Sequence, residues 1–162
     1  MKTAGAVDAL RRVDGGEWMN RDMALIFFGE PVGKGRPRFT RGGHCYTPAA
    51  TAQYERQLRA EWQAANPGEP LQGAVAVAIH AYYAIPESAT VRNRERMMYG
   101  ELAPLKKPDL DNIVKIVLDA LNGVAFADDK QVISISAGKH YSADPRVEVY
   151  VTEVDLSDVR QP

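Results

Sequence analysis

Cysteine is nearly absent: Cys45 is the only one in 162 residues. An internal disulfide is thereby excluded, and a lone thiol suits a reducing compartment, so a cytoplasmic location is expected. Long apolar runs are also missing. The longest, MALIFF at 23–28 and AVAVAIHAYYAI at 74–85, fall short of the ~20 residues that a membrane-crossing helix needs. No charged head, apolar stretch and small-residue cleavage pattern opens the chain, so no secretory signal is expected. Internal repeats and low-complexity tracts are absent, and hydrophobic content of 45% with 25% charged residues belongs to a globular chain rather than a disordered one. At this length the expectation is one domain with its own core.

Several chemical signatures are lacking as well. GEPVGKGR contains Gly-Lys, but Gly35 stands where a phosphate-binding loop carries Ser or Thr. DLDNIVKIVLDA begins like a calcium loop and then lacks Gly at its sixth position and Glu at its twelfth. His44, His80 and His140 with one cysteine have no zinc spacing, and no G-x-S-x-G elbow occurs.

Acidic residues are missing from one long stretch, between Glu30 and Glu55, where Lys34, Arg36, Arg38 and Arg41 gather in PVGKGRPRFTRGGHCY. Arg92, Arg94, Arg96, Lys106 and Lys107 form a second basic group, followed at once by Asp109, Asp111, Asp119, Asp128 and Asp129. The net charge of −1 therefore hides a positive surface beside a negative one. That pairing suits a metal-dependent enzyme acting on a polyanion.

Periodicity predicts the elements. MALIFF reads as a first strand ended by Gly29 and Pro31, followed by the Gly/Pro/Arg loop. TPAATAQYERQLRAEWQAANPG predicts an amphipathic helix with Thr47 as N-cap, Pro48 at the first helical position, and Tyr54, Leu58 and Trp62 on one face. Residues 73–85, apolar on both faces, predict a central strand. Residues 86–108 read as a polar connection with a helical turn near 91–100. A helix follows, and QVISISAGKHY and RVEVYVTEV then alternate with period two around SADP, which predicts a hairpin. The order β-α-β-α-β-β implies an α+β domain, a mixed β-sheet with flanking helices, over residues 23–156. Residues 1–22, with a helical suggestion at 7–13, read as a loosely attached extension, and 157–162 as a tail.

Within the second helix, Asp111, Asn112, Lys115, Asp119 and Asn122 share a sector roughly 100° wide at ~100° per residue. Ile, Val, Leu and Ala fill the rest, so the polar stripe is expected to face a small cleft. The ADDK loop at 127–130 would return Asp129 to the same place. Taken singly, Asp109 or Asp111 also reads as a helix cap and Asp128–Asp129 as a turn. A cap, however, needs only one carboxylate, and crowded carboxylates ask for a cation.

GEPVGKGRPRF, followed about seventy residues later by KPDLDNIVKIVLDAL and then DD, resembles the RusA family of Holliday junction resolvases over roughly residues 23–154. The resemblance implies a homodimeric, Mg2+-dependent endonuclease, with Mn2+ as a substitute, that makes paired symmetrical nicks in branched DNA, the four-way junction. Carried over position by position, it implies catalytic roles for Asp109, Asp111 and Asp129, an essential lysine at Lys115, and Asp128 as a further metal ligand. Hard carboxylate oxygens suit Mg2+. Lys34, Arg36, Arg38 and Arg41, with Lys106 and Lys107, would hold phosphates, the glycines letting backbone approach closely. Phe39 and Tyr46 read equally as base-stacking or as locally packed. The extension at 1–22 departs from the family pattern. Two other readings stand beside this one: a branched-DNA or fork nuclease of phage origin, and a non-catalytic junction-binding protein.

Overall fold

The computed structural model describes residues 22–35, 38–39, 41–43, 45–46 and 48–155, the side chains of 38, 39, 45 and 46 excepted. The extension expected at 1–22 thus lies outside the described residues apart from Asp22, as does the tail.

Alternating apolar residues make strands with one buried face. In β1 (Asp22–Phe28) Leu25 and Phe27 are buried; in β4 (Val75–Ala84) Val75, Val77, Ile79, Ala81 and Tyr83 are; in β6 (Arg146–Glu153) Val147, Val149 and Val151 are. With β5 (Val132–Ser142) these form one mixed sheet in the order β1-β6-β4-β5. The central position expected for residues 73–85 is borne out, since β4 is hydrogen-bonded on both sides. The expected Gly/Pro/Arg loop contains a small antiparallel ribbon, β2 (Arg38–Phe39) with β3 (Cys45–Tyr46).

Two long helices complete the core. α1 (Ala49–Ala65) buries Thr51, Tyr54, Leu58 and Trp62. Its N-cap is Pro48 rather than the expected Thr47, which lies outside the described residues, and no side chain caps it. α2 (Val91–Met98) is capped by Thr90, whose hydroxyl accepts from the Asn93 amide at 3.3 Å. α3 (Leu110–Leu121) buries Ile113, Ile116, Val117, Ala120 and Leu121.

The expected hairpin does not form. β5 runs parallel to β4 on one side while β6 runs antiparallel to it on the other, so the two final strands flank β4 without pairing. Period-two alternation identifies a strand but not its neighbour. The crossover through α2 and α3 delivers β5 parallel to β4, and the short turn carries the chain across to β4's free side. Arg146 closes that turn, donating to Ser142 Oγ at 3.0 Å and to the Asp144 carbonyl at 2.9 Å.

Candidate active site

The N-terminus of α3 lies against the far end of β4. The Tyr83 hydroxyl donates to the Pro108 carbonyl at 2.9 Å, and Lys139 Nζ on β5 donates to the Lys106 carbonyl at 2.6 Å. Both clamp the segment leading into Asp109. The Lys106 and Lys139 ammoniums lie over the Tyr83 ring, 5.4 and 5.0 Å from its centroid. Burial, with the negative charges of Glu30 and Asp109, pushes the Tyr83 hydroxyl up to about 12. It therefore stays protonated and able to donate at any ordinary pH.

Asp109 occupies the N-cap position of α3, but its side chain makes no capping hydrogen bond. The capping role that one carboxylate would have served is left unfilled, and the group faces outward. Asp111 follows in the first turn, where the helix dipole favours negative charge. Lys115 approaches Asp111 at 3.7 Å across one turn, with the two side chains 64% and 68% exposed. The polar stripe of α3 therefore opens to solvent on this chain instead of facing the expected cleft. An exposed pair at this spacing is worth only ~0.5 kcal/mol.

The glycine-rich basic loop is stitched to the same place. Lys34 N donates to the Asn112 carbonyl at 2.8 Å, and a Cβ at Gly33 would come within 2.6 Å of the Pro108 Cβ. Close approach at Gly33 is thus to α3, and at Gly35 to Thr51 and Pro48 of α1, where the expectation had been phosphate. Lys34 is already engaged within the fold. Its ammonium pairs with Glu55 of α1 and, at 2.6 Å, with Asp119 of α3. Partial burial alone would depress it, but hydrogen bonds to Asp119 and Glu55 hold it above the ordinary lysine value. Meeting a phosphate would mean giving up a partner. Arg41 is exposed in the turn between β2 and β3; Arg36 and the side chain of Arg38 lie outside the described residues. Lys106 and Lys107 are exposed and form no ion pair among the described residues.

Asp128 and Asp129 stand elsewhere. Asp128 caps a 3-10 turn (Asp129–Gln131), its carboxylate accepting from the Lys130 amide at 3.0 Å while Gln131 Oε1 accepts from the Asp128 amide at 2.8 Å. The Lys130 amide, with the Lys130 charge, holds the Asp128 carboxyl below its usual range. Gln131 fastens this turn to the Leu71 and Gly73 carbonyls at 2.9 and 2.8 Å, just before β4 begins. The 127–130 loop therefore does not return Asp129 to Asp109 and Asp111 within one chain. α3 is 12 residues long, or ~18 Å at about 1.5 Å per residue, and the two groups sit at its opposite ends.

Sequence reasoning missed Tyr83, Lys139 and Glu30, whose carboxylate accepts from the Ala84 amide at 3.1 Å. Alternation marks Tyr83 and Lys139 only as strand residues. Their nearness to Asp109 comes from β5 pairing alongside β4.

The fit to a divalent cation divides in two. Asp109 and Asp111 offer the hard oxygens that Mg2+ prefers. Yet among the described residues no three His, Cys, Asp or Glu side chains converge closely enough to hold a metal.

The sequence profile of the family described as Endodeoxyribonuclease RusA matches residues 29–152. Uncharacterized protein YqaN of Bacillus subtilis (strain 168) is 37% identical over 132 residues, which span 78% of this chain and 93% of that protein. The matched stretch holds the basic loop, the clamp on residues 106–108, all of α3 and the Asp128–Asp129 turn. The chain belongs to the endodeoxyribonuclease RusA family.

Proposed function

We propose that this protein is a Mg2+-dependent endonuclease that resolves four-way DNA junctions by paired symmetrical nicks, acting as a homodimer in the cytoplasm, with residues 23–156 as the nuclease unit. The observation that carries the reading is the N-terminus of α3: two exposed carboxylates, Asp109 without a capping bond, beside Lys106, Lys107 and the start of the basic loop. A polyanion would be drawn to the cations and its backbone presented to the carboxylates.

Asp109 and Asp111 would hold the cation. Asp129, in the turn beyond the C-terminal end of α3, would join them from a second copy of the chain. A bound Mg2+ would lower the pKa of the attacking water and offset charge on the leaving oxygen. The chain's own residues supply the rest. Lys106 and Lys107 hold phosphates, and Arg36, Arg38 and Arg41 extend that contact along the basic loop. Lys115, one turn from Asp111, would neutralise charge gathering on the scissile phosphate. The water oxygen bonds to phosphorus, the bond to the leaving sugar oxygen breaks, and that oxygen takes up a proton. A junction has two-fold symmetry and two strands to cut, which an isologous dimer matches.

Incubating the protein with a labelled immobile four-way junction, with and without Mg2+, beside Asp111→Asn, tests this directly. Paired nicks that need both the metal and Asp111 are expected. Equal cutting of forks and flaps would reassign the substrate to branched DNA in general. Binding without nicks in any divalent metal would leave a junction-binding protein.

A further inference from the structure

α2 ends in a fixed turn beside the edge strand β5. The Gly100 amide donates to the Met97 carbonyl at 3.2 Å and the Glu101 amide to the Arg96 carbonyl at 2.8 Å, with Gly100 at φ 75°. These paired bonds close a glycine-capped helix end and fix the backbone of Met98 and Tyr99. Both side chains nevertheless stand in water, Met98 66% and Tyr99 82% exposed. They line a hollow of about 240 Å³ together with Lys139, His140 and Tyr141 of β5 and Tyr82 of β4. None of the described residues lining it is acidic. Glu101, next to Gly100, pairs instead with Arg96 at 3.1 Å. Apolar and aromatic groups gathered in the open around a concavity mark a binding surface.

Three properties choose the occupant. Aromatic rings and thioethers suit a flat heterocycle. The volume lies below the ~300 Å³ at which sites for drug-sized ligands begin, so one ring system fits and a bulkier group does not. The polar groups include strong donors, the Lys139 ammonium and the tyrosine hydroxyls, which match the carbonyl oxygens and ring nitrogens of a base edge. Burial and the Glu148 charge raise the Tyr82 hydroxyl above its ordinary value, so it stays protonated. Lys139 also joins the hollow to the acidic helix, because the same ammonium donates to the Lys106 carbonyl, three residues before Asp109. We infer that the hollow is a subsite for one unpaired nucleobase of the DNA strand held at Lys106 and Lys107, stacked on Tyr99 beside His140. The inference rests on the nuclease reading and names a part of the substrate that intact duplex does not offer. A base inside a stacked helix cannot enter the hollow, whereas a base loosened at a branch can. The subsite thus favours branched over linear DNA by a route that does not depend on phosphate contacts.

Photo-cross-linking locates the base. Four-way junctions carrying 5-iodouracil at successive positions around the branch point, bound without divalent metal and irradiated, should attach to peptides containing Tyr99 or His140. Tyr99→Ala should remove the Tyr99 adduct, keep the wild-type circular dichroism spectrum and weaken junction binding roughly 5- to 100-fold, the range for loss of one base–aromatic stack. Affinity for linear duplex should fall by a smaller factor, and Tyr99→Phe should restore junction binding. Adducts found only outside the hollow, or equal junction affinity in wild type and Tyr99→Ala, would overturn the subsite and leave the hollow to a protein partner. These readouts do not depend on cutting. A hollow adduct in a chain that never nicks DNA would remove the nuclease reading and keep the subsite, whereas nicking with no adduct in the hollow would do the reverse.

Discussion

The Tyr83 hydroxyl, at the end of the central strand, donates to the carbonyl of Pro108, the residue immediately before Asp109. One hydrogen bond thereby ties the most buried strand of the sheet to the entrance of the acidic helix, and Lys139 adds a second through the Lys106 carbonyl.

Tyr83→Phe keeps the ring and removes that bond. Stability should fall by about 1 kcal/mol. Nicking of a four-way junction should fall by a larger factor than junction affinity, because the change loosens the carboxylate's support and leaves the phosphate-holding lysines in place. Cleavage rates and gel-shift affinities on one preparation check this. Equal losses in both would mean that Tyr83 acts on binding.

Lys34→Met would leave the Glu55 and Asp119 carboxylates facing one another without their shared cation. A loss of roughly 1 kcal/mol is expected for these partly exposed pairs, or about 2–4 °C in Tm for a chain of this size. Glu55→Gln with Asp119→Asn in the same chain should recover part of it. Thermal unfolding at low and high salt measures both, and the loss should shrink as salt screens the pairs.

Lys106→Gln with Lys107→Gln removes two exposed cations and no described ion pair. Junction affinity should weaken, and the slope of log K against log salt should become shallower by ~1.8 if both contact phosphates of duplex arms. Fluorescence anisotropy between low and moderate salt reads the slope. An unchanged slope would remove both lysines from the DNA surface.

His140 gives the protein a pH dependence. Burial, with His80 facing it at 3.3 Å between ring nitrogens, holds the His140 imidazole below its usual value, while Glu148 works the other way. A base whose pKa is lowered by folding is protonated more readily when unfolded. Stability is therefore complete above the unfolded value of about 6.5 and is lost as pH falls from there through the lowered folded value. Tm should decline between pH 7 and pH 5, and His140→Gln should flatten that decline. An identical slope in the variant would exclude His140 as its source.

The amino-acid sequence alone determined the elements and the family. Tyr54, Leu58 and Trp62 repeat at helical spacing and are buried on one face of α1; Val75, Val77 and Ile79 alternate and face the core from β4. Such signals lie within a few residues of one another, so local periodicity suffices to show them. The charge segregation was equally legible, because it is a property of composition along the chain. Tertiary structure alone decided which elements are neighbours. β5 and β6, separated by a short turn, flank β4 instead of pairing with each other, because the crossover through α3 sets β5 parallel to β4. The same arrangement carries Asp129 to the far end of α3 from Asp111, sets Lys34 between Glu55 and Asp119, and brings Lys139 to the residues before Asp109. These relationships join residues tens of positions apart and depend on how the whole sheet closes, which no local spacing records.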